Sequence, residues 1–194
     1  MPERDDQRTV HLDSRQIRVL AHPLRIRLLG ILRAEGPATA TMLAHTLDTN
    51  TGATSYHLRQ LADVGLVVED PDRGTARQRW WRSAHHLSSW EPTDFDHDPD
   101  ARAAAEWIQA DQVRILAEQA DRWLAVQHDY SREWRDVAGM GDILLTLGPA
   151  RLRTLTDELW QVIERYRNDP TPDDEDAQQV VLFLAGYPRP RDTR

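Results

Sequence analysis

At 194 residues and 40 % hydrophobic content, the chain is long enough for one medium domain or two small ones with a real core. It has no cysteine, which excludes disulfides, thiolate metal sites and cysteine nucleophiles; with no leader-like segment and no apolar run of about 18 residues, a cytoplasmic protein is the expectation. The net charge of −8 is unevenly spread: residues 1–90 carry 12 Arg against 10 acids (+2) and residues 91–194 carry 12 against 22 (−10), so any polyanion must be met by the first half.

Residues 1–11 are polar and expected to fray. Asp13 followed by Gln16 reads as a capping box that opens a helix over 14–21. His22-Pro23 interrupts it, because the residue before proline avoids the helical region. Leu24, Ile26, Leu28, Leu29, Ile31 and Leu32 then predict a buried second helix, closed by Gly36-Pro37. Thr39 caps a third short helix carrying Met42, Leu43 and Leu47. After the Asp48-Thr49 turn, Asn50 caps a fourth helix with a narrow apolar stripe of Ala53 or Thr54, Leu58 and Leu61, and Gly65 is its C′ residue. Two helices joined by so short a turn form a helix-turn-helix.

The outward side of the fourth helix carries Thr51, Gly52, Ser55, Tyr56 and Arg59, small donors and acceptors with one guanidinium, a surface that suits base edges and phosphates. His57 borders the inward face and is expected to be a packed, hydrogen-bonded structural histidine and not a base reader. Strands near 66–69 and 78–82 flank a hairpin loop at 70–75, forming a wing. Period-two alternation puts Arg77, Arg79 and Trp81 on one face of the returning strand, with Arg73 at the tip, so three guanidiniums would neutralise phosphates beside the helix. The candidate DNA contacts are therefore Asn50, Thr51, Gly52, Ser55, Tyr56, Arg59, Arg73, Arg77 and Arg79.

Residues 90–100 read as an acidic linker with two prolines, between a domain at 12–90 and a region at 99–194. Asp94, Asp96, Asp98 and Asp100 have the spacing that opens a calcium loop, but Pro99 and Ala105 stand where that loop needs glycine and a bidentate glutamate. A solvated linker with a helix-capping acid fits better. A long helix is expected over 99–130, with Val113, Leu116, Ala120, Trp123 and Tyr130 in one stripe. A strand follows at 143–147, then a helix from Pro149 with Leu152, Leu155, Leu159, Val162, Ile163 and Tyr166 on one face, and a second strand at 180–185. The expected fold is mainly α with small β: a winged helix-turn-helix domain, then a long helix and a strand-helix-strand unit for dimerisation or sensing. Trp107, Trp123, Trp134 and Trp160 supply packing and dimer contact, or an aromatic pocket for a flat apolar effector. With no nucleophile elbow, no His-Glu-x-x-His pair and no strand-anchored glycine-rich loop, neither an enzyme nor a bound cofactor is expected.

The helix order, together with Ala-His-Pro-Leu-Arg-Ile-Arg-Leu-Leu at 21–29 and Gly-Ala-Thr-Ser-Tyr-His-Leu-Arg-Gln-Leu at 52–61, resembles the ArsR-type winged helix-turn-helix repressors, most closely an actinobacterial branch. The resemblance covers residues 12–82. It implies a homodimer that sits on a pseudo-palindromic operator of double-stranded DNA and represses transcription until an effector weakens binding, with Thr51, Gly52, Ser55 and Tyr56 at the base-contacting positions. The arsenic and metal sensors of that family place cysteines where this chain has residues 38–44, and Asp121, His128 and Asp129 do not match the spacing of its zinc sensors. The effector is therefore expected to be non-thiolate. Three other readings stay open: a winged helix that docks protein, a metal-responsive regulator with carboxylate and histidine ligands, and an enzymatic site assembled from dispersed carboxylates in the second half.

Overall fold

Local hydrogen-bonding signals start most of the helices in the computed structural model, which describes residues 9–73, 79–168 and 176–189. Helix α1 (Ser14–Leu20) opens on the expected capping box: Asp13 Oδ1 accepts the Arg15 and Gln16 N–H groups at 2.8 Å each, and the Asp13 N–H donates back to Gln16 Oε1 at 3.0 Å. Helix α2 (Pro23–Ala34) begins with proline at its first position, and His22 Nδ1 accepts the Leu24 N–H at 3.1 Å. Thr39 caps α3 (Ala40–Thr46) and Asn50 caps α4 (Thr51–Ala62).

The ends of α3 and α4 follow one pattern. Thr49 N–H donates to Ala44 O and Asp48 N–H to His45 O; Leu66 N–H donates to Leu61 O and Gly65 N–H to Ala62 O. These are the paired bonds of Schellman motifs, with Asp48 (φ 48°) and Gly65 (φ 73°) in the left-handed position. Aspartate tolerates that backbone because its short polar side chain bonds locally. The αL residue at 48 gives the tight turn between α3 and α4.

Two small sheets complete the first compact unit, residues 1–117. In one, β2 (Ala38–Thr39), β4 (Trp80–Ser83) and β3 (Val67–Glu69) lie in the order β2-β4-β3, all antiparallel, with Val67 opposite Ser83 and Glu69 opposite Trp81. In the other, β1 (Thr9–His11) runs parallel to β5 (Leu87–Ser89). The expected frayed start is thus tied down from residue 9 onward. The core draws Ile17, Leu28, Leu32, Leu43, Leu58, Leu61, Leu66 and Trp81 from the first four helices, the start of the hairpin and its returning strand. Met42, expected inward, is instead exposed, and Leu43 and Leu47 fill that role.

The acidic stretch after β5 is part of this unit and not a boundary. A 3₁₀ turn at Pro92–Phe95 sinks Phe95 into the core at 1 % exposure, and Ala101, Ala105 and Ile108 of α5 (Pro99–Val126) follow it. Its aspartates are caps and braces. The Glu91 N–H, then His11 Nε2 at 2.8 Å, hold the Asp94 carboxyl below the usual range; the Ala101 N–H and Arg18 do the same for Asp98. The two compact units divide at residue 117, within α5, instead of at 90–99.

The second unit holds the end of α5, the short helix α6 (Arg132–Val137) and α7 (Pro149–Asn168). The long helix was expected to reach 130 but gives way to a 3₁₀ turn at Gln127–Asp129. Ser131 then caps α6, which sequence periodicity missed. Helix α7 starts at Pro149 as expected, and at Gly186 a β-carbon would lie 3.6 Å from Leu152 Cδ1, so the final segment returns to the beginning of α7. Residues 143–147 and 180–185 were expected as strands; they form none among the described residues and are exposed. The fold stays mainly helical with small sheets, but the expected strand-helix-strand unit does not form among the described residues.

Candidate nucleic-acid interface

Helix α4 is divided along its length. Thr54, Leu58 and Leu61 are at 0 % exposure, and the Thr54 hydroxyl, buried with them, donates to Asn50 O at 3.2 Å. This resolves the inward residue as Thr54 and not Ala53. On the opposite side Asn50, Thr51, Gly52, Tyr56 and Arg59 are exposed, with Ser55 half-buried between the two faces. Asn50 Oδ1 is committed to the Ala53 N–H at 2.8 Å, which leaves the amide's NH₂ for an outside acceptor. A β-carbon on Gly52 would meet that same Oδ1 at 3.2 Å, so a side chain there would press on the cap. Arg59 Nε donates to Ser55 O at 3.1 Å and lays the start of the guanidinium along its own helix.

The wing arginines are less free than their spacing suggested. Arg79 pairs across the hairpin with Glu69 at 3.1 Å and lies over the Trp81 ring, 5.8 Å from its centroid. Arg73 sits 3.9 Å from Asp70 and 5.9 Å from the Trp80 ring centroid. Both arginines remain more than half exposed. The Arg79–Glu69 pair is exposed on both sides and contributes about 0–1 kcal/mol, so a phosphate could replace its carboxylate at small cost while the indole keeps the guanidinium in place. Arg77 lies outside the described residues.

Beneath Tyr56 is a group whose proximity the sequence did not signal. The His22 and His57 rings are 4.4 Å apart, Tyr56 meets His57 edge-on at 5.1 Å, and His57 Nδ1 and Arg25 Nε are buried without a hydrogen-bond partner. Burial first, then His22 and Arg25, hold the His57 imidazole below its ordinary pKa; burial and Arg25 do the same to His22. His57 is packed as expected, but its Nδ1 lacks the hydrogen bond that expectation gave it. Both rings thus lose their charge at a lower pH in the fold than a free histidine does. Above the unfolded histidine range of about 6.5 neither state binds a proton at these sites; below it the unfolded chain protonates first, and stability falls as pH drops. The melting temperature is expected to decline on acidification through that range, and His57→Gln to flatten the decline. A profile identical in the variant would contradict the assignment.

Of the four tryptophans, Trp107 belongs to the first unit and is over a third exposed; Trp123, Trp134 and Trp160 belong to the second, where Trp123 packs edge-on against Tyr130 at 5.1 Å. Among the described residues no group of three or more His, Asp or Glu side chains could hold a metal ion. No described helix is long and apolar enough to cross a membrane.

Residues 20–70 match the family described as a helix-turn-helix domain. No curated protein matches the chain. Among solved structures it is similar to the homodimeric winged helix-turn-helix DNA-binding domain of a possible ArsR-family regulator from Mycobacterium bovis, at 24 % identity over 55 % of this chain and 78 % of that one, with a TM-score of 0.33. A possible transcriptional regulator for arsenical resistance is 30 % identical over 54 % of this chain and 95 % of its own, with a TM-score of 0.32. A transcriptional regulator from Thermotoga maritima is 12 % identical over 80 % and 90 %, again with a TM-score of 0.32. The first unit is a winged helix-turn-helix domain, an architecture with which transcriptional regulators bind DNA.

Proposed function

We propose that this winged helix-turn-helix protein is a dimeric, sequence-specific DNA-binding transcriptional regulator that represses by occupying a pseudo-palindromic operator. One observation carries the reading: α4 buries Thr54, Leu58 and Leu61 completely and turns Thr51, Gly52, Tyr56 and Arg59 outward beside the β3–β4 hairpin. Two such helices enter successive major grooves about one helical turn apart, and Arg73 and Arg79 of each hairpin hold the flanking backbone. A small apolar effector acts in this scheme only by binding the DNA-competent and incompetent dimers unequally. If Trp123, Trp134 or Trp160 line its site, its binding changes their fluorescence.

The wing assignment has its own expected result. Replacing Arg73 and Arg79 together by alanine weakens binding to every DNA sequence and lowers the slope of log K against log salt by about 1–2, since each phosphate contact contributes about 0.9. Titrations at several salt concentrations check this. A variant with the wild-type slope would remove these residues from the interface, and a wild-type chain with no salt-dependent DNA affinity would favour a protein-docking winged helix instead.

A further inference from the structure

Residues 143–147 (Ile-Leu-Leu-Thr-Leu) and 180–184 (Val-Val-Leu-Phe-Leu) have the composition of central strands, rich in β-branched and large apolar side chains on both faces. Among the described residues they form no strand pairing, and Ile143, Leu144, Val180, Val181 and Leu182 are each more than three-fifths exposed. Between them lies α7, the most cleanly amphipathic helix of the chain, none of whose described residues is buried.

We propose that residues 143–147 and 180–184 form a β-sheet completed only between two copies of this chain, making the second unit the dimerisation device. The proposal rests on the dimeric reading above and names its surface. Nine apolar residues of the two segments are each more than a third exposed in the protomer, enough to supply much of the roughly 800 Å² per partner that a standard interface covers. Soluble monomers rarely leave such a patch open. An unpaired segment of strand-forming composition is a template for another strand, and a second copy brings the same two segments in matching number. Two identical strands meeting across a two-fold axis pair with each other, and that same symmetry sets two recognition helices on paired half-sites. A small ligand would cover only a fraction of this area.

The test uses the full chain, followed by sedimentation and by amide hydrogen exchange. The wild type is expected to be a dimer in which the amides of 143–147 and 180–184 exchange slowly. Because Ile143 and Val181 are exposed in the protomer, Ile143→Glu with Val181→Glu should leave helix content and the protection of α2 and α4 unchanged. The same pair weakens self-association by about 100-fold or more, because each carboxylate must be desolvated against apolar neighbours, and both segments become fast-exchanging. A monomeric wild type, a dimer whose two segments exchange fast, or a dimer that the double variant leaves intact would each overturn the proposal. DNA binding is scored separately. A dimer without DNA affinity defeats the regulator reading alone, whereas a DNA-binding dimer that the double variant leaves intact defeats this proposal alone.

Discussion

Alanine at both Tyr56 and Arg59 is expected to lower affinity for the preferred DNA sequence by about 30-fold or more, because a side chain that reads a base edge contributes about 1–3 kcal/mol. Both side chains are exposed and neither supports the core, so stability should move by only about 0.5 kcal/mol. The informative comparison is between the preferred sequence and random DNA. Loss on the preferred sequence with little change on random DNA places these residues at bases; equal loss on both places them at phosphates, where they would act like the wing arginines. Unchanged affinity on both would take this face of α4 out of the DNA contact.

The opposite face of the same helix gives the second large effect. Leu58 is at 0 % exposure within the core that joins α2, α3 and the hairpin, and its truncation to alanine leaves a cavity costing about 2–5 kcal/mol. That is a large part of the roughly 5–15 kcal/mol that holds an ordinary domain together. Leu58→Ala should therefore lower the denaturant midpoint sharply, and DNA affinity per folded molecule should stay near wild type. The two variants thus separate reading from folding within one helix. A Leu58→Ala chain as stable as the wild type would mean that α4 is not packed as described.

The features legible in the sequence were those written in local chemistry. Asp13 with Gln16, the His22-Pro23 break, Thr39, Asn50 and Gly65 each satisfy a backbone group within a few residues, so their positions alone placed the helices of the first unit. The outward face of α4 was legible for the same reason, since three buried residues at helical spacing settle what lies opposite. Non-local features were not. The β1–β5 pair joins two three-residue strands far apart in the chain, too short for any periodicity to show. Residues 90–100 read as a linker because acids and prolines outnumber the single Phe95 that anchors them in the core. Glu69, which partners Arg79, follows from hairpin register and not from spacing along one strand, whereas Asp70 and Arg73 stand only three residues apart in the turn. Residues 143–147 and 180–185 failed as strands in the other direction: their composition favours strands, but a ladder needs a partner, and neither segment is in a strand among the described residues.

The central claim is that two copies of the exposed α4 face read DNA, and selection of bound duplexes from a random pool by the wild-type chain tests it most directly. The account predicts enrichment of one sequence arranged as two inverted half-sites with centres about 10 base pairs apart, and loss of that enrichment in the Tyr56 and Arg59 double variant. A pool that emerges without any preferred sequence, or a preference that survives the double variant unchanged, would contradict it.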